Sequence, residues 1–142
     1  MKVRLMVLLA CLLAIALLAA GCGGGGKKES EGAKTECRKE ATTKPTGLPA
    51  AFPVPGELTF TDVRKDGPTL VVDGYWTAGI DEAYNEYKDQ VEQAGYDILF
   101  NEKEEHDAEI SYKGSGRTGQ IALRDDCMES DTTRVHITSR PE

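Results

Sequence analysis

The stretch "GIDEAYNEYKDQVEQAGY", residues 79 to 96, constrains the fold most, because its apolar residues keep a helical period while those on either side alternate. Ile80, Ala83, Tyr84, Tyr87, Val91 and Ala94 follow one another at steps of 3, 1, 3, 4 and 3, which gathers them on one helical face. Asp81, Glu82, Glu86, Asp89 and Glu92 fall largely on the other. Asp81 and Glu82 lie in the first turn, where the helix dipole favours negative charge. Gly95 stands where a left-handed C-terminal cap belongs. Tyr84, Tyr87 and Val91 are therefore expected to pack inward from a helix.

On both sides the period falls to two. "ELTFTDV" alternates Leu58, Phe60 and, after a polar break at Asp62, Val63. Asp66-Gly67 is a hairpin-turn signal, and "TLVVDGYWT" returns as a strand rich in β-branched and aromatic residues. After the helix come "YDILF", "AEISYK", "TGQIALRD" and "TTRVHITS", with alternation at Ile110/Tyr112, Ile121/Leu123 and Val135/Ile137. Turn-like "NEKEEHD", "GSGR" and "DCMESD" separate them. The expected fold class is α+β: one amphipathic helix packed on an antiparallel sheet of about six strands, in the order β-β-α-β-β-β-β.

The N-terminus is of another kind. Lys2 and Arg4 precede sixteen residues, Leu5–Ala20, that are all Leu, Ala, Val, Ile, Met or Cys. A bilayer core takes about 20 apolar residues, so the run is short for a permanent span and describes an export signal. It ends in Leu18-Ala19-Ala20-Gly21-Cys22. These residues resemble the bacterial lipobox, in which small residues precede an obligatory cysteine that is acylated on sulphur and becomes the mature N-terminus. Ala19 stands where the pattern usually has a large aliphatic residue, and the leucine lies one place earlier. The resemblance implies that residues 1–21 are a cleaved lipoprotein signal peptide and that Cys22 carries a diacylglycerol. It also implies a location on the outer face of the cytoplasmic membrane. An ordinary signal cut near Ala20 and an uncleaved anchor are the competing readings. The glycines around Cys22 weigh against the first and the short run against the second.

Residues 22–56 have almost no large apolar side chains before Leu48, so they read as a tether that cannot fold alone. Glycines loosen its first part, and Pro45, Pro49, Pro53 and Pro55 stiffen the second. The extracytoplasmic domain is expected over 57–142. Charge divides at the same point: the tether holds six Lys/Arg against four Glu, the domain nine Lys/Arg against twenty Asp/Glu. Such an acidic domain excludes nucleic acid as a partner, and it is repelled by anionic lipid that attracts Lys27 and Lys28.

Four cysteines remain to be placed. Cys11 leaves with the signal and Cys22 takes the lipid, so Cys37 and Cys127 are an even pair in an oxidising space and a disulfide is expected. Two free thiols or a bond to another chain are the alternatives. The proline-rich lead-in, the helix with Tyr84-x-x-Tyr87 and the Gly95-Tyr96 after it resemble small extracytoplasmic domains of bacterial lipoproteins, over about residues 49–140. That resemblance implies a fold and a location, and no mechanism.

Chemical motifs are scarce. "GSGRTG", residues 114 to 119, matches Gly-x-Gly-x-x-Gly, but a dinucleotide site needs a following helix, and "QIALRDD" alternates like a strand. A hairpin turn is expected there, and no nucleotide. "EKEEHDAE", residues 102 to 109, sets five carboxylates around His106 without calcium-loop spacing, so a solvated turn and no metal is expected. His136 lies between Val135 and Ile137 and should face the opposite side of the sheet. Ser111 and Ser115 lack a nucleophile-elbow context. Tyr75 and Trp76 are neighbours on one strand and must face opposite sides, one toward the helix. They are the candidate contact surface for a glycan, a peptide or an envelope protein. The expectation is a non-enzymatic binding module with no cofactor beyond the lipid on Cys22. The alternatives are a small envelope hydrolase acting through carboxylates and a structural accessory subunit of an envelope complex.

Overall fold

The computed structural model describes residues 33–142. The signal, Cys22, Lys27 and Lys28 lie outside the described residues. The elements follow the expected order: β1 (Leu58–Asp66), β2 (Thr69–Trp76), α1 (Ile80–Gln93), β3 (Asp97–Lys103), β4 (Asp107–Gly114), β5 (Arg117–Arg124) and β6 (Thr133–Pro141). The fold is α+β, with six antiparallel strands in one sheet, arranged β1-β2-β6-β5-β4-β3. Three successive hairpins carry the chain from β3 to β6, and β6 then closes against β2.

Local chemistry accounts for the joints. Gly67 (φ 55) turns β1 into β2. The polar break after Phe60 is a β-bulge, since the register shifts between Phe60 and Asp62. It leaves Leu58 and Phe60 facing the core and sets Asp62 beside Asp73 on the opposite face. At the end of α1, Gly95 (φ 80) donates to Glu92 O at 3.0 Å and Tyr96 N donates to Val91 O at 3.2 Å. This is the paired Schellman arrangement, and it delivers Tyr96 into the core, 4% exposed.

Alternation then decides what the sheet buries. Ile110, Tyr112, Ile121 and Leu123 are 0% exposed, and Ile80, Ala83, Tyr84, Tyr87 and Val91 meet that face from α1. Trp76 stands edge-on to Tyr87, with ring centroids 5.7 Å apart. Burying such faces, at about 25 cal/mol per Å² of apolar surface, is the main stabilising term.

The helix lies over β3, β4 and β5. Much of the remaining core is supplied by the segment ahead of β1, which the sequence assigns to the tether. Leu48 and Phe52 belong to the core cluster, and Pro45, Pro53 and Pro55 are buried. A Cβ on Gly47 would lie 3.1 Å from Leu70 of β2, so the backbone passes close over that strand. Thr42 N donates to Phe60 O at 2.7 Å, and the Tyr87 hydroxyl donates to Pro53 O at 3.4 Å. These described residues belong to the same compact unit as the sheet. Their sparse apolar residues have no period, because an extended proline-rich segment presents single side chains to pockets made by other elements.

Candidate functional site on the open face of the sheet

The side of the sheet away from α1 is polar and carries cross-strand rows set by register. One row runs Arg64, Val71, Thr138, Gln120, Ser111 and Phe100. The next runs Asp62, Asp73, His136, Ala122, Glu109 and Glu102. This face takes the polar members of each alternating strand because their neighbours are committed to the core.

Much of its charge is tied down. Arg64 pairs with Asp73, and with Asp62 at 2.8 Å, while His136 Nδ1 lies 2.5 Å from Asp73 Oδ1. Burial pushes the Asp73 carboxyl up, but its hydrogen bonds to His136 and Arg64 outweigh burial and hold it below the usual carboxylate range. Arg124 binds Asp107 at 2.5 Å and Glu109 at 3.5 Å, and Gln120 Nε2 donates to Glu109 at 2.9 Å. Arg134 grips Asp126, with Nε donating at 2.8 Å.

Among the described residues, two shallow grooves flank these ion pairs. One, of about 430 Å³, crosses β6, β5 and β4, with Ser111, Thr118, Gln120 and Thr138 in its lining, Leu99 on one side and Arg140 at one end. The other, of about 340 Å³, lies between β1, β2 and the segment around Cys37 and includes Lys39, Asp62, Asp73 and Arg134.

Cys37 and Cys127 form the expected disulfide, with Cα atoms 5.4 Å apart. Backbone bonds flank it: Thr35 N donates to Asp126 O at 2.7 Å and Met128 N to Thr35 O at 2.8 Å. The Glu129 carboxylate accepts the Arg38 amide at 3.1 Å and the Cys37 amide at 3.2 Å. These backbone donors, Arg38 foremost, keep its carboxyl below the ordinary range. The disulfide is structural in setting, with both cysteines buried.

Tyr75 and Trp76 part company as their alternation requires. Tyr75 is half-buried on the open face, while Trp76 is 1% exposed in the core. Trp76 therefore offers no contact surface, because Tyr87 and its neighbours occupy the space in front of it. His106 sits in the β3–β4 turn, 3.8 Å from Glu105 and 3.5 Å from Asp125, and its side chain is 69% exposed. Among the described residues, one group of three potential metal ligands converges: Cys37, Asp126 and Cys127. Its two sulphurs are bonded to each other.

Packing accounts for the Gly-x-Gly-x-x-Gly pattern. Gly114 has Tyr96 where a Cβ would stand, at 2.8 Å, and Gly116 (φ 72) follows Ser115 (φ 52) in a tight hairpin turn. At Gly119 a Cβ would come within 1.9 Å of Thr138 O and 2.7 Å of the Tyr112 hydroxyl. Its absence lets that hydroxyl donate to Thr138 O at 2.9 Å.

Sequence reasoning missed Leu99 and Phe100, which are 60% and 51% exposed. A register shift between Ile98 and Phe100 marks a second bulge, and Phe100 pairs with Ser111 on the open face. The signal was the consecutive Ile98-Leu99-Phe100, which no strict alternation can bury on one side. Comparison of the chain with protein-family models, curated proteins and solved structures gave no match in any of the three.

Proposed function

We propose that the protein is a lipid-anchored extracytoplasmic module on the outer face of the cytoplasmic membrane, working by binding an envelope component rather than by catalysis. The observation that carries this is the open face, a polar sheet surface with a groove of about 430 Å³ opposite the face that α1 occupies. Anchorage is supported by Leu18-Ala19-Ala20-Gly21-Cys22 and by the Cys37–Cys127 bond, since disulfides persist in oxidising compartments. Two acyl chains, at about 0.8 kcal/mol per buried methylene, hold a protein durably on a bilayer. Among the described residues no helix is long and apolar enough to cross a membrane.

One acid of the open face speaks against a proton-donating role there. A general acid is tuned upward toward neutral pH, whereas Asp73 is held low by its hydrogen bonds to His136 and Arg64. Among the described residues, neither His106 nor His136 shares a hydrogen bond with a serine or threonine hydroxyl.

Mass spectrometry of the mature N-terminus tests the anchor: a diacylglycerol-modified Cys22 is expected, and Cys22→Ser should release the protein from membranes. An unmodified Cys22 or cleavage elsewhere overturns anchorage. A photo-crosslinker at Gln120 in intact cells should yield envelope adducts, and one at Asp89 on the outer side of α1 should not. The reverse pattern overturns the open face as the binding surface.

A further inference from the structure

We infer that the groove across β4, β5 and β6 is a binding site for an acidic oligosaccharide, one carrying carboxylate-bearing sugar rings. The inference rests on the open face being the binding surface, and it names the ligand class. Three observations carry it.

First, residues 57–142 hold twenty Asp/Glu, yet the lining of the groove contains none of them and does contain Arg140. Six of the nine Lys/Arg in that stretch are in ion pairs: Arg64, Lys88, Lys103, Lys113, Arg124 and Arg134. Among the described residues Arg140 forms no ion pair, and it is exposed. The acidic charge that repels polyanions from the domain at large is missing from this lining, so the unpaired Arg140 can take a carboxylate locally, with two parallel hydrogen bonds.

Second, the floor keeps hydrogen-bonding capacity of the kind sugar hydroxyls use. Gln120 Nε2 is committed to Glu109, which leaves its carbonyl oxygen to accept. Thr138 Oγ1 accepts the Gln120 amide at 3.2 Å and retains its own proton to donate. Ser111 lies beside Gln120 in register, and among the described residues its hydroxyl has no intramolecular partner.

Third, one wall is apolar. Leu99 lines the groove and Phe100 stands opposite Ser111, both more than half exposed, so they can take the C–H face of a sugar ring. An extended peptide is a poorer fit. Peptides add to a free sheet edge by backbone bonds, whereas β4, β5 and β6 are interior strands whose backbone groups serve the sheet.

The test uses the full chain in detergent, titrated with an oligogalacturonate while backbone amide shifts are followed. The controls are the carboxyl-reduced neutral oligosaccharide, a hexaglutamate peptide and inorganic phosphate. Shifts should cluster at Ser111, Gln120 and Thr138. Arg140→Gln should weaken oligogalacturonate binding at least about tenfold, the loss of one charge-assisted contact, and leave the thermal midpoint unchanged. Phe100→Ala should weaken the acidic and neutral sugars alike, and Lys88→Gln neither.

Equal binding of the neutral sugar, or indifference to Arg140→Gln, overturns the acidic class while leaving the open-face reading standing. Equal binding of hexaglutamate or of phosphate overturns the saccharide. Shifts centred elsewhere, or none at millimolar ligand, overturn the site. The N-terminal mass and the crosslinking pattern are unaffected by any of these results, so the two readings fail separately.

Discussion

The Phe52 ring stands edge-on to Tyr112 of β4, with centroids 5.3 Å apart, and edge-on to Tyr96 at 5.8 Å. A residue six places ahead of the first strand thus closes the core between the end of the helix and the sheet. Aromatic pairs in this geometry contribute about 0.5–1.5 kcal/mol beyond their buried area.

Phe52→Ala should therefore destabilise the domain by about 3–5 kcal/mol, the range for removing a buried aromatic ring. Urea unfolding checks this, with Ala51→Ser, at an exposed neighbour, as the control. Equal midpoints for the two variants would return this segment to the role of a tether.

Removing the bridge should act mainly on the unfolded chain. Cys37 and Cys127 are 90 residues apart, and a loop of that size is worth about 4 to 5 kcal/mol in the chain-entropy model, an upper figure. Against a typical total of about 5–15 kcal/mol, the Cys37→Ser, Cys127→Ser double variant should unfold at clearly lower urea. Limited proteolysis should then open the chain first around Arg38 and Lys39. Unchanged stability would show that the Glu129 contacts and Thr35 backbone bonds suffice.

Within α1 the two faces should separate cleanly. Tyr87 is fully buried, and Tyr87→Ala should cost about 3–5 kcal/mol. Glu86 makes one bond to Gln90 at 2.9 Å, and Glu86→Ala should cost only about 0.2–0.5 kcal/mol. Thermal unfolding of the pair decides it, and coincident midpoints would contradict the packing of the helix.

Asp73 supplies a pH dependence. Its carboxyl titrates lower in the folded chain than in the unfolded one, so its contribution is complete above the unfolded value of about 4 and disappears as pH falls through the folded value. Arg64, His136, Arg134 and Asp62 are the charged and titratable groups around it. Asp73→Asn should be less stable than the parent at neutral pH and lose less stability on acidification below about pH 4. Urea midpoints at several pH values measure this, and parallel curves for the two proteins would refute it.

Periodicity makes the regular elements legible from the chain alone. The steps between Ile80 and Val91 located α1, and alternation located the strands, including the turn glycines Gly67 and Gly116. Even the irregularity at Asp62 was visible, as a break in alternation that the fold realises as a bulge. Cys37 and Cys127 were paired by elimination among four cysteines. These features are local, or nearly so: each follows from which side of one helix or strand a residue must occupy.

What only the tertiary structure decided involves partners distant in sequence. Phe52, Leu48 and the buried prolines carry no period, so nothing near them in the chain tells that Tyr96, Tyr112 and Leu70 will receive them. Trp76 and Tyr75 were indistinguishable until α1 took one side of the sheet and buried Trp76 against Tyr87. The groove, too, exists only because β6 inserts between β2 and β5, which sets Thr138 beside Gln120 and brings Ser111 and Phe100 into the same row. Strand order is chosen by the summed packing of the whole sheet, and no short window of sequence contains that sum.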